Sequence, residues 1–233
     1  MTRAPPPLAY RRIMTIHGTA STPRVAPLRA RWLRPTASFL LAALGAVAVG
    51  GLTSLGQQYL PEWLSSFANS AGGWAMLAFA LVWLSRARPV AGAVLGAVAF
   101  LLMVEGYGVV SAWRGHFYAD PLSSIWTGVA LVAGPVLGLS AAVARHGSRL
   151  WSALAVVPLS AVLLGEGVWA LVRISDTTSP VYWTVEIVLS VLFVGVAIGR
   201  RHLSLRPSAI VVVAYLAGAA VYAALWMLLD SWM

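Results

Sequence analysis

The sequence predicts an all-α polytopic membrane protein, a bundle of about seven transmembrane helices with a cytoplasmic N-terminus. Three observations carry that expectation. Of 233 residues, 60% are hydrophobic and only 10% charged, with a mean hydropathy of +0.82; soluble domains average about 45–50% apolar and about 25% charged. The apolar residues come in continuous runs, several of them about 20 residues long, the length at which a helix crosses the hydrocarbon core. The basic residues, all of them arginine, fall between those runs and favour one side.

The elements follow in order. Residues 1–36, rich in Pro and Arg, read as a disordered basic cytoplasmic tail drawn to anionic lipid. Residues 37–233 read as one transmembrane helical domain. The first span is expected at about 37–56, the second at about 71–85 and the third at about 90–113. The others are expected at about 124–144, 150–172, 181–199 and 209–229. The second is the shortest, so a six-span arrangement stays open. Barrel strands are excluded because the runs are continuous and too long. Between the first two spans, Leu60, Trp63, Leu64 and Phe67 stand at i, i+3, i+4 and i+7, one apolar helix face. That predicts an interfacial helix at about 60–70, either an anchor or a lid. Pro135 and Pro158 fall within spans and predict kinks.

The arginines orient the bundle. Arg3, Arg11, Arg12, Arg24, Arg29, Arg31 and Arg34 precede the first span. Arg86, Arg88, Arg145, Arg149, Arg200, Arg201 and Arg206 follow the second, fourth and sixth, and only Arg114 and Arg173 lie on the other side. Cytoplasmic connections carry the arginine excess, so the N-terminus is expected inside. The net charge of +9 is explained by this topology, and no nucleic acid partner is expected.

Several chemistries are set aside. The chain has no Cys, and its four His residues, His17, His116, His146 and His202, are unpaired in tails or connections; no metal site is expected. It carries no GxxxxGK[ST], HExxH or GxSxG motif. No cofactor and no enzymatic activity are expected.

Three glutamates fall inside spans: Glu105, Glu166 and Glu186. A charge at mid-membrane costs roughly 2.5–3.5 kcal/mol, so such residues face a protein interior or a watery cavity. With alternating span direction, all three lie at similar depth toward the extracytoplasmic side. They are therefore candidate ligand contacts in an outward-facing polar pocket, joined by Gln57, Asn69 and Tyr107. The competing reading makes them structural, bonded to neighbouring Trp, Tyr or backbone groups or to Arg114 and Arg173. Two segments repeat a Glu–Gly pair, VEGYG at 104–108 and GEGVW at 165–169.

Gly92, Gly96, Gly134 and Gly138 form two GxxxG patterns, and Ala42 and Ala46 share the four-residue spacing. Small residues so spaced let helices approach closely, within this bundle or against a partner subunit. Tyr215, Gly218, Tyr222 and Trp226 share one face of the last span. Trp63, Trp74, Trp113, Trp126, Trp183 and Trp232 lie near expected outer ends, as in an aromatic belt.

The strings GQQYLP (56–61), SFANSAGGWAMLAFAL (66–81), EGYG (105–108), WRG (113–115), VAGPVLGL (132–139) and GEGVW (165–169) together carry a resemblance. The chain resembles an uncharacterised family of small multi-pass membrane proteins from high-GC Gram-positive bacteria. The resemblance implies a bacterial plasma-membrane location and transfers no mechanism. In architecture the chain is also similar to the substrate-binding membrane subunits of energy-coupling-factor importers. That likeness implies a capped outer ligand site and docking of a partner through small residues such as Ala42 and Ala46. The expected partners are thus the lipid bilayer, a small-molecule ligand and a membrane protein. The expected function is binding or passage of a small solute; the alternative is a non-catalytic structural or interaction subunit.

Overall fold

The computed structural model describes residues 28–118 and 120–230. Residues 1–27, most of the expected tail, and Trp232 lie outside them. Helix α1 spans Leu28–Tyr59 and so begins within the stretch expected as tail. The short α2 (Glu62–Ser65) and a 3₁₀ turn (Ser66–Ala68) follow. The long helices are α3 (Ala71–Ser85), α4 (Pro89–Trp113) and α5 (Ile125–His146). The short α6 (Arg149–Leu154) leads into α7 (Val157–Arg173), then α8 (Pro180–Arg200) and α9 (Leu205–Asp230). No strand occurs among the described residues.

Six segments are long and apolar enough to cross a membrane alone, α6 and α7 together making one of them. The seventh is a broken one: Glu62–Ala68 and Ala71–Ser85 meet at a bend of 61°. The break at α6–α7 falls just before Pro158, which occupies the first turn of α7; Pro135 sits inside an unbroken α5. The chain is a multi-pass integral membrane protein. Leu41, Leu44, Val132, Val213 and Leu216 face outward, as lipid-facing residues do.

Starts are set by prolines at the first turns of α4 and α8, where a missing N–H costs nothing. Serine caps serve α3, α5 and α8 through Ser70, Ser124 and Ser179. One half of the bundle packs α4 between α1 and α5, with α3 against α1 and α5; the other packs α7 on α8 and α9. The halves meet mainly where α3 touches α7.

Close approach explains the small residues. A Cβ on Gly96 would stand 2.7 Å from Gly138 Cα, and one on Gly134 would stand 2.7 Å from the Gly96 carbonyl oxygen. Gly92 and Gly138 meet in the same way. The two GxxxG patterns therefore face each other across α4 and α5. Ala42 and Ala46 are buried within the same half. These faces are occupied by the chain's own helices.

The turns at one end are tied together: Arg145 donates to the Trp83 carbonyl, His146 contacts the Arg86 carbonyl, and Arg201 donates to the Ala144 carbonyl. This end gathers Arg86, Arg88, Arg149, Arg200 and Arg206 as well. The opposite end holds the candidate site.

Candidate functional site

A helix that starts inside a bundle presents unpaired N–H groups and the positive end of its dipole. Helix α3 starts this way. Its first-turn N–H groups are met by Glu166 of α7, whose Oε1 accepts from Ala71 N at 2.8 Å and whose Oε2 accepts from Gly72 N at 2.5 Å. Ser70 Oγ accepts from Gly73 N at 2.8 Å and lies 2.5 Å from the Tyr182 hydroxyl. Every first-turn donor is thereby used, and the occupant of this anion-binding position is the protein's own carboxylate.

Glu186 of α8 lies beside Glu166, both carboxyl groups facing the Gly72 backbone. Both side chains are buried, at 4% and 0% exposure. Glu186 Oε1 accepts from Tyr182 Oη at a long 3.5 Å, while Oε2 has no partner among the described residues. Gly72 is required here, because a Cβ would fall on Glu186 Oε1 and 3.1 Å from Glu166 Oε2. Phe67 of the 3₁₀ turn lies edge-on to Tyr182, ring centroids 6.1 Å apart, so the α1–α3 connection covers the tyrosine that reaches Glu186.

Beside this junction lies a cavity of about 120 Å³. Ser70, Ala71 and Trp74 of the α3 start form one wall; Phe100, Val104 and Tyr107 of α4 form another; Tyr118, Trp126 and Val129 close it, with Gln57 and Asn69 also lining it. The rings interlock: Trp74 to Tyr107 is 5.7 Å, Trp74 to Phe100 is 6.2 Å and Tyr107 to Tyr118 is 6.1 Å between centroids. Gln57 links the polar residues, donating to Asn69 Oδ1 at 3.1 Å and accepting from Tyr107 Oη at 3.0 Å.

The structure therefore divides the sequence-derived candidates. Gln57, Asn69 and Tyr107 line the cavity. Glu166 and Glu186 converge, but behind the wall at Ala71, and neither lines it. Glu105 does not join them. Its Oε1 accepts from Leu122 N at 3.1 Å, in the connection between α4 and α5. Leu122 stands at φ +63°, a conformation costly for a residue with a Cβ. That connection delivers Tyr118, which donates to the Val104 carbonyl at 3.1 Å. Its ring rests where a side chain on Gly108 would be. Burial pushes the Tyr118 pKa up, and Glu105 adds to the effect. Arg114 serves no carboxylate in these contacts: it donates to Gln58 Oε1 at 2.6 Å and to Ser54, tying α4 to α1.

The last helix packs rather than lines the cavity. Tyr215 bonds Ser190 at 2.7 Å, Gly218 abuts Ala161, and Trp226 stacks on Trp169 with centroids 4.8 Å apart. Among residues that sequence reasoning passed over, Ser70, Ala71, Tyr118 and Tyr182 matter most. Only Ser70 carried a readable signal, a serine just before the apolar run of α3. No cluster of His, Asp and Glu among the described residues could hold a metal ion.

Residues 29–231 match a family of unknown function, DUF6518. The chain belongs to this family. The match covers every helix from α1 to α9 and so includes both the carboxyl junction and the aromatic cavity. No curated protein and no solved structure matches the chain.

Proposed function

We propose that this member of the DUF6518 family is a non-catalytic bacterial plasma-membrane protein that binds a small solute, for uptake or sensing, in the aromatic cavity beside α3. The arginine-rich end lies in the cytoplasm by the arginine excess, so the cavity faces outward. The observation that carries the reading is a shared wall. Ala71 lines the cavity and donates its N–H to Glu166, so an occupant presses on the start of a broken membrane helix. Broken helices at such positions build solute sites in membrane carriers.

The cavity selects by shape and polarity. Its volume of about 120 Å³ is near that of an apolar cavity which admits benzene, about 150 Å³. Its surface is mostly rings, with an amide pair and a phenol at hand. A flat molecule with one hydrogen-bonding end suits it. Polar contact falls to Gln57, Asn69 and Tyr107, while Glu105 and Glu166 hold the walls.

Native mass spectrometry of protein extracted gently with its lipids tests this. Wild type is expected to carry a discrete small-molecule mass that Val129→Trp, which fills the cavity, lacks. Identical spectra without an adduct, together with a stoichiometric protein partner, overturn the solute reading and favour an interaction subunit.

A further inference from the structure

The charged residues are segregated. Six of the seven acidic residues, Glu62, Glu105, Asp120, Glu166, Asp176 and Glu186, belong to the cavity end. The seventh, Asp230, closes α9, which starts at the other end. The arginine end therefore has no carboxylate among the described residues to balance it.

A cleft of about 930 Å³ opens there, between α3 and α5 on one side and α8 on the other. Its walls are apolar, with Phe79, Leu192, Phe193 and Val196 among them, and three arginines line it: Arg145, Arg200 and Arg201. Arg145 lies over the Trp83 ring at 4.6 Å and donates to the Trp83 carbonyl at 3.2 Å. Arg201 donates to the Ala144 carbonyl at 2.8 Å. Neutral carbonyls and a ring aim these guanidinium groups without cancelling their charge. Guanidinium forks match phosphate oxygens. Leu192 and Val196 are half exposed on the outer side of α8, so the apolar wall continues onto the face that meets hydrocarbon. A water-soluble anion would satisfy the arginines and leave that wall wet.

The geometry points to a binding site for an anionic phospholipid in this cleft, its phosphate on Arg145, Arg200 and Arg201 and an acyl chain along Phe79, Leu192 and Phe193. Basic pockets between membrane helices on the cytoplasmic side hold such headgroups. The site is separate from the aromatic cavity and shares no lining residue with it.

The test uses the full chain in nanodiscs of equal parts phosphatidylcholine and phosphatidylglycerol, stripped stepwise with detergent and read by native mass spectrometry. Wild type is expected to keep a phosphatidylglycerol after phosphatidylcholine is gone. The triple variant Arg145→Gln, Arg200→Gln, Arg201→Gln is expected to retain it at least about tenfold less, from the loss of charge-assisted hydrogen bonds to the phosphate. Arg86→Gln, Arg88→Gln, Arg206→Gln removes as much charge at the same end outside the cleft and is expected to change retention less than about twofold. Leu192→Trp narrows the cleft without altering charge and is expected to lower retention as well. Equal loss in both triple variants would reduce the effect to surface potential and overturn the site. So would full retention by the cleft variant, or displacement of the lipid by glycerol phosphate.

Discussion

Helices α4 and α7 each carry a Glu–Gly pair toward the same end of the bundle, and each uses it in a similar way. The glycine admits a neighbouring helix: a Cβ on Gly106 would meet the Val47 backbone of α1, and one on Gly167 would stand 3.1 Å from the Trp183 carbonyl of α8. The glutamate accepts from the backbone of a segment outside its own helix. The difference is where the acceptor works. Glu105 takes one N–H from a partly exposed connection. Glu166 takes two N–H groups at a buried helix start and meets a second carboxyl. The same local device is thus a tether for a connection in one half and a core element in the other. Its weight is set by how much water could replace it.

Truncation gives the largest separation. Glu166→Ala leaves the buried Gly72 N–H unpaired, at about 1–3 kcal/mol, and the half-buried Ala71 N–H as well, at a smaller cost. Glu105→Ala frees an N–H that water can reach, with an expected cost of about 1 kcal/mol or less. Thermal unfolding in matched detergent checks both. Equal losses would mean that burial does not distinguish the two sites.

Overpacking sharpens the picture on the buried side. Gly72→Ala places a methyl on the Glu186 carboxyl and is expected to cost about 1–3 kcal/mol. In a Glu186→Ala background the same substitution is expected to cost clearly less, since the atom it strikes is gone. Additive losses in that double-mutant cycle would place the clash elsewhere.

The glutamine series separates the members of the pair. Glu166→Gln offers one acceptor oxygen to two N–H groups, so about one buried hydrogen bond is lost, or roughly 1–3 kcal/mol. Glu186→Gln keeps the shape of the side chain and can turn its amide donor toward Glu166, so it is expected to stay within about 1 kcal/mol of wild type. The reverse order would reassign the residue that holds α3.

How much of this was legible follows from what a membrane does to a sequence. Span positions follow from run length, and depth follows from residue count at 1.5 Å per residue. Both readings put Glu105, Glu166 and Glu186 toward one end. Which way each points around its helix does not follow. In a soluble helix an apolar stripe marks the buried face. Here Leu41 and Leu44 face outward while Leu95 and Met103 are buried, and hydropathy cannot tell the two settings apart, because lipid is as apolar as the core. Glu105 and Glu166 therefore share a depth but not a site. Small residues report contact better: Gly92, Gly96, Gly134 and Gly138 had a readable spacing, although which pattern faces which needed the fold. The start of α3 was half legible. Ser70 is a recognisable cap, but nothing in the chain before Ala71 announces that its partner lies on α7.

The smallest expected effect lies at the exposed tether. Leu122 holds φ +63°, where a Cβ costs roughly 1–2 kcal/mol, and its side chain is 59% exposed, so little packing is lost on removing it. Leu122→Gly relieves the conformation while keeping the N–H that Glu105 accepts. Glycine loses more freedom on folding, which offsets part of the gain, so a net stabilisation of about 0.5 kcal/mol is expected, read as a small rise in Tm. In a Glu105→Ala background the gain should be smaller, because without the hydrogen bond Leu122 is free to leave this conformation. An unchanged gain would show that the connection keeps its shape without Glu105, leaving Tyr118 positioned by Val104, Gly108 and the Tyr107 ring.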